Sequence, residues 1–125
     1  MPALESGMYF DADIPVDVMQ KEVGNYIKIT GASFGKDRQM SGEMTKMGVN
    51  KATGMQRLMD ELKIGREDTI AFGDGPNDVE MLQFAGTGVA MGNAIPAVKQ
   101  YADMVTDKID EDGLYHAFER LHLLG

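Results

Sequence analysis

Two carboxylates stand four positions apart in the stretch Gly73-Asp74-Gly75-Pro76-Asn77-Asp78, surrounded by residues that turn the chain. Carboxylate oxygen is the donor that a hard cation such as Mg²⁺ prefers. The glycines let the backbone bend sharply and approach a ligand. Asn77 or Asp78 is placed to cap a following helix, whose N-terminal end favours phosphate. Gly, Pro, Asn and Asp are equally the ordinary makers of a turn with an Asx cap, and composition alone does not separate that turn from a ligand loop. Lys51 is the second residue of interest. It follows Gly48-Val49-Asn50 and opens a helix, where a cation opposes the helix dipole. A lone surface lysine is nevertheless most often just solvated, so its position raises the question without answering it.

The elements around these residues place them. Thr69-Ile70-Ala71-Phe72 is a continuous apolar run ending at Gly73, the pattern of a strand buried on both faces. Residues 77–85 read as a helix, so the acidic loop belongs at the carboxyl edge of a sheet, where open α/β folds bind ligands. Met55, Leu58, Met59 and Leu62 fall at helical spacing and predict a helix over 51–63. Residues 88–91 read as a strand, 95–102 as a helix and 104–106 as a short strand, and Leu114, Ala117, Phe118 and Leu121 mark a last helix. Strands and helices alternating through short loops predict an α/β fold, a parallel sheet with helices on both faces. About three strands amount to half of a doubly wound sheet. Ahead of Gly48 the period changes. Residues 26–30 and 39–44 flank the turn-prone Gly35-Lys36-Asp37-Arg38 and predict an antiparallel hairpin. Asp13-Ile14-Pro15 opens a short helix before it.

Composition narrows the classes. A chain of 125 residues has the length of one ordinary domain and can bury a modest core. Twenty acidic against twelve basic residues give a net charge of −8, a surface that repels nucleic acid and anionic membrane. A phosphate ligand is not excluded, since it needs only one local positive site. Without cysteine there is no disulfide and no thiolate metal site. No apolar run reaches the length of a membrane span and no signal pattern opens the chain, so the expected setting is the cytoplasm.

The runs Gly48-Val49-Asn50-Lys51-Ala52-Thr53-Gly54, Ala71-Phe72-Gly73-Asp74-Gly75-Pro76-Asn77-Asp78-Val79-Glu80-Met81-Leu82 and Ala85-Gly86-Thr87-Gly88-Val89-Ala90-Met91-Gly92-Asn93-Ala94 carry a resemblance. In this order and spacing they resemble the Cof-like sugar-phosphatase branch of the haloacid dehalogenase superfamily. Val98-Lys99-Gln100-Tyr101-Ala102-Asp103 and Asp110-Glu111-Asp112-Gly113-Leu114 extend it, so that it covers about 26–121. The resemblance implies a Rossmann-like core and hydrolysis of phosphate monoesters through an aspartyl-phosphate. By it, Lys51 neutralises the phosphoryl oxygens and the attacking carboxylate, and Asp74 holds Mg²⁺. Asn77 bonds the phosphate or supports the loop, and Asp78 acts one step removed, orienting Lys51 or a metal-bound water.

The chain departs from the family at the nucleophile. The family's Asp-x-Asp is followed by Gly-Thr; here Asp11-Ala12-Asp13 is followed by Ile14-Pro15 and preceded by little that reads as a strand. Only 37 residues, 14–50, separate Asp13 from Lys51, and the hairpin already occupies them. The resemblance therefore assigns 1–48 to the end of the family's inserted cap domain, with Asp13 capping a helix, and 49–125 to the C-terminal half of the core. The expectation is a fragment of a Mg²⁺-dependent phosphatase of phosphorylated sugars or related metabolites, inactive alone. It would associate with itself or with the missing N-terminal portion. The alternative is a non-catalytic binding or interaction module of the same fold.

Overall fold

The computed structural model describes residues 6–9, 13–31 and 40–125. The chain divides into two compact units, Met1–Asn50 and Lys51–Gly125.

The first unit is built on an antiparallel sheet of order β1-β3-β2, with β1 at Ser6–Tyr9, β2 at Ile27–Gly31 and β3 at Gly42–Lys46. Strands β2 and β3 pair from Ile27↔Lys46 to Gly31↔Gly42, the antiparallel partnership expected of the hairpin. The turn expected at 35–38 lies outside the described residues. Strand β1 corrects the sequence reading, which saw little strand ahead of Asp11. Four residues are too few to display alternation, and β3 supplies the partner that makes them a strand. Asp11 itself lies outside the described residues. The strand leading to it belongs to this antiparallel sheet.

Helix α1, Val16–Val23, brings a second correction, because Asp13 does not cap it. Pro15 occupies the N-cap in an extended conformation, and its carbonyl accepts the amides of Val18 at 3.1 Å and Met19 at 3.0 Å. Asp13 stands two residues too early to reach the first turn. The helix is tied to β2 through Gln20. Its Nε2 donates to the Gly24 and Ile27 carbonyls at 3.0 and 2.9 Å, and its Oε1 accepts the Ile29 amide at 2.8 Å.

The second unit carries the expected parallel sheet, order β4-β5-β6, with β4 at Ile70–Gly73, β5 at Thr87–Ala90 and β6 at Met104–Val105. Its helices are α2 (Lys51–Leu62), α3 (Val79–Phe84), α4 (Pro96–Lys99) and α5 (Gly113–Arg120). Successive strand residues point to opposite faces, and β4 shows both faces covered. Ala71 joins Leu82, Ala85, Ala90, Ala94 and Val98 in the buried core, whereas Phe72 stacks on Phe118 of α5 with ring centroids 5.3 Å apart. The β4–α3 connection starts with a 3₁₀ turn at Pro76–Asp78, so the helix expected from 77 begins only at Val79. Helix α4 is likewise shorter than expected.

The stripe predicted on α2 is half right. Met59 is buried and Met55 packs against the core, but Leu58 and Leu62 are each 59% exposed. A 3.6-residue period identifies the helix without saying how wide a band its neighbours cover. Among the described residues, no helix is long and apolar enough to cross a membrane.

Candidate active site

Strand β4 delivers the chain to Gly73, and the next five residues fold back on themselves. The agent of this is Asp78. Its Oδ2 accepts the backbone amides of Asp74 at 2.9 Å and Gly75 at 3.0 Å, closing the loop from inside, while its Oδ1 pairs with the Lys51 ammonium. The carboxyl group is nearly out of reach of water, with Asp78 only 4% exposed. Gly73 is required by this closeness: a Cβ there would stand 2.5 Å from the Asp78 Cβ. Overpacking of that kind costs about 1–3 kcal/mol unless the loop shifts.

Burial works to raise the Asp78 carboxyl, but the hydrogen bond from Lys51 and those from the Gly75 and Asp74 amides outweigh it. Asp78 therefore titrates below the usual carboxylate range and stays ionised where Lys51 is charged. This pairing accounts for a cation at the start of α2. Lys51 faces a buried anion whose attraction outweighs the opposing helix dipole. Half of the Lys51 side chain, 48%, remains exposed, so the ammonium is oriented by Asp78 and still open to a ligand.

Lys51, Asp74 and Asp78 line a cleft of about 350 Å³ at the end of β4. Phe72, Met91, Ile109 and Leu114 add apolar surface to the same lining. Asn77 sits half-buried on the 3₁₀ turn and is not among the described residues lining the cleft. Of the four residues singled out from sequence, three thus share the cleft and the fourth stands beside it.

The cap expected at this helix also takes another form. Asp78 gives no side-chain bond to α3 and instead closes the preceding turn. Helix α3 has six residues, too short to gather the full dipole of a long helix. Positive charge in the cleft accordingly comes from Lys51.

Two backbone amides fill Oδ2 of Asp78, and its Oδ1 faces the Lys51 ammonium, so this carboxylate is committed first to the loop and the lysine. Asp74 is exposed and offers one carboxylate. Among the described residues no group of three His, Asp or Glu could hold a metal ion. Mg²⁺ takes one or two carboxylates, with water and substrate phosphate completing its shell. Asp74 fits as one such donor and not as a whole site.

Comparison with known proteins bears on this arrangement. Residues 8–118 match the sequence model of the haloacid dehalogenase-like hydrolases. The chain belongs to that family. Among its relatives, 5-amino-6-(5-phospho-D-ribitylamino)uracil phosphatase YitU of Bacillus subtilis is 56% identical over 72 residues, covering 58% of this chain and 27% of that protein. Phosphatase YwpJ of the same organism is 34% identical over 132 residues, covering 90% of this chain and 44% of its own. The solved structure of the sugar phosphatase BT4131, of haloacid dehalogenase subclass IIB, superposes with a TM-score of 0.76 at 34% identity, over 88% of this chain and 42% of that one. The chain thus spans less than half the length of each of these three relatives.

Within this haloacid dehalogenase-like chain, one contact at the site had no assigned role in the sequence reading. Asn93, within the Gly92-Asn93-Ala94 run, donates from Nδ2 to Asp74 Oδ2 at 3.2 Å. Nothing in local spacing links positions 74 and 93. The parallel pairing of β4 with β5 brings their carboxyl ends together.

Proposed function

We propose that this chain forms the lysine- and acid-bearing half of a Mg²⁺-dependent phosphatase that hydrolyses phosphate monoesters of sugars or related metabolites. The observation that supports it best is the ion pair between Lys51 and the buried Asp78, set beside the exposed Asp74 at the carboxyl end of a parallel strand. Phosphoryl transfer demands charge neutralisation and positioning above all. Lys51 supplies the first by meeting the phosphoryl oxygens, and Asp78 supplies the second by holding the ammonium in place. Asp74 presents one oxygen for Mg²⁺, which when bound neutralises further phosphoryl charge and orients the ester. Asn77 steadies the loop or bonds a phosphate oxygen from beside the cleft.

The nucleophile in this reading is a carboxylate from residues outside the 125, since no Asp-x-Asp followed by Gly-Thr occurs among them. It attacks phosphorus, the ester P–O bond breaks, and the leaving alkoxide takes a proton from the second Asp of that motif, also outside the 125, acting as general acid. Water then releases phosphate from the aspartyl-phosphate. Residues 1–48 belong, on the same reading, to a cap that contacts the substrate. The expected setting is the cytoplasm, consistent with a cysteine-free chain.

The test is phosphate release from a generic aryl phosphate, with Mg²⁺ and with chelator. It is run on the 125-residue chain and on a form extended by the residues its natural reading frame encodes upstream. Turnover is expected from the extended form only. Magnesium-dependent turnover by the 125 residues that vanishes with Asp11→Asn would contradict the assignment of the nucleophile. An inactive extended form would favour a binding module.

A further inference from the structure

Asn93 stands in the connection between β5 and α4 and makes two hydrogen bonds in opposite senses. Its Nδ2 donates to Asp74 Oδ2 at 3.2 Å, and its Oδ1 accepts the Ile109 amide at 3.0 Å. A carboxylate can only accept and a backbone N–H can only donate, so the amide has one workable orientation. The backbone carrying it is anchored on both sides. The Gly92 amide donates to the Asp107 carbonyl at 3.0 Å, the Lys99 ammonium donates to the Gly92 carbonyl at 2.7 Å, and the Ala94 amide donates to the Met91 carbonyl at 2.9 Å. Gly92 lies so close to the neighbouring segment that a Cβ would stand 2.7 Å from the Lys108 nitrogen. The Asn93 side chain is therefore presented from a fixed platform.

Asp74 needs such a partner. Asp78 takes its backbone amide but leaves its exposed carboxylate free to change rotamer. We propose that Asn93 is a positioning residue that fixes the Asp74 carboxylate in one rotamer toward the cleft and couples it to Ile109, which also lines the cleft. This rests on the phosphatase reading, in which Asp74 is a Mg²⁺ ligand. Groups that orient a ligating carboxylate commonly cost 10–100-fold in metal affinity or activity when removed. Because this hydrogen bond is exposed, the lower end, about tenfold, is the expected loss.

Two variants separate the parts. Asn93→Ala removes both hydrogen bonds. Asn93→Asp keeps the size and the acceptor for Ile109 but sets a carboxylate against Asp74. Nuclear magnetic resonance of the full chain reads the Asp74 Hα–Hβ couplings and the exchange of the Ile109 amide. One dominant Asp74 rotamer is expected in the wild type and a changed or averaged one in both variants. Ile109 exchange should quicken in Asn93→Ala and hold in Asn93→Asp. In the upstream-extended form, Asn93→Ala should raise the Mg²⁺ concentration for half-maximal activity about tenfold while KM for the ester is unchanged. Asp74 couplings that do not respond to either variant would overturn the inference, as would an unmoved Mg²⁺ requirement. An extended form with no phosphatase activity would sink the functional reading instead, and the couplings would still decide the role of Asn93.

Discussion

Replacing Asp78 by Ala removes the common acceptor of three donors, whereas replacing Lys51 by Met removes one donor from an acceptor that keeps two. The Gly75 amide is buried, so leaving it unpaired costs about 1–3 kcal/mol. The Asp74 amide loses its partner at an exposed residue, and the Lys51 ammonium returns to water at small cost. The sum is about 3 kcal/mol for Asp78→Ala. Breaking a fully buried ion pair by removing one partner costs about 3–5 kcal/mol. Lys51 is half-exposed and solvent already screens the pair, which lowers the figure for Lys51→Met to about 1–2 kcal/mol. Amide hydrogen exchange of β4 and β5 reads these differences as protection, with about 1.4 kcal/mol per factor of ten. The Met91 amide, bonded to the Gly73 carbonyl at 2.9 Å, is a suitable reporter beside the loop. Protection should fall roughly 100-fold in Asp78→Ala and roughly tenfold in Lys51→Met. A lysine variant that loses as much as the aspartate variant would refute the view that Asp78 chiefly closes the loop. So would a loss of less than tenfold in Asp78→Ala.

Two further outcomes follow from the same structure. The Asp78 carboxyl titrates lower in the folded chain than in the unfolded one, so its contribution to stability is complete above the unfolded value of about 3.9 and is lost as pH falls through the folded value. Acid unfolding followed by circular dichroism should show a stability loss below about pH 4 that Asp78→Asn lacks, and equal acid profiles for the two would contradict it. Strand β4 has β5 as its one strand partner among the described residues, and Leu58 and Leu62 are exposed, so the chain is expected to self-associate or to take up a further segment. Light scattering at tens of micromolar should report a dimer or larger assembly. A clean monomer would count against that.

Most of the second unit was legible because its signals are local. The run ending at Gly73 marks a strand, and the glycines and acids after it mark a loop at the sheet edge. A cation at a helix start marked Lys51 without naming its partner, and the structure pairs it with Asp78. What was not legible depends on partners distant in sequence. Ser6–Tyr9 becomes a strand only because β3 lies beside it. Asp13 reads as a helix cap until Pro15 takes the position. Leu58 and Leu62 have the period of a buried stripe and yet stay largely exposed. Asn93 acquires a role only when parallel pairing sets the end of β5 against the end of β4. The resemblance implied that Asp78 orients Lys51 or a metal-bound water, but its part in closing the loop through two backbone amides needed coordinates.

The kinetic effect of Lys51 and Asp74 in the upstream-extended form is the most direct test of the proposed phosphatase site. Measured with an aryl phosphate at saturating Mg²⁺, Lys51→Ala should lower kcat by about 10²–10³, the usual consequence of losing one group that stabilises transition-state charge. Asp74→Ala should lower activity comparably, with partial recovery as Mg²⁺ is raised. Both variants keeping kcat within a few-fold of the wild type would contradict the account, because the cleft that joins Lys51, Asp74 and Asp78 would then not be the site of phosphoryl transfer.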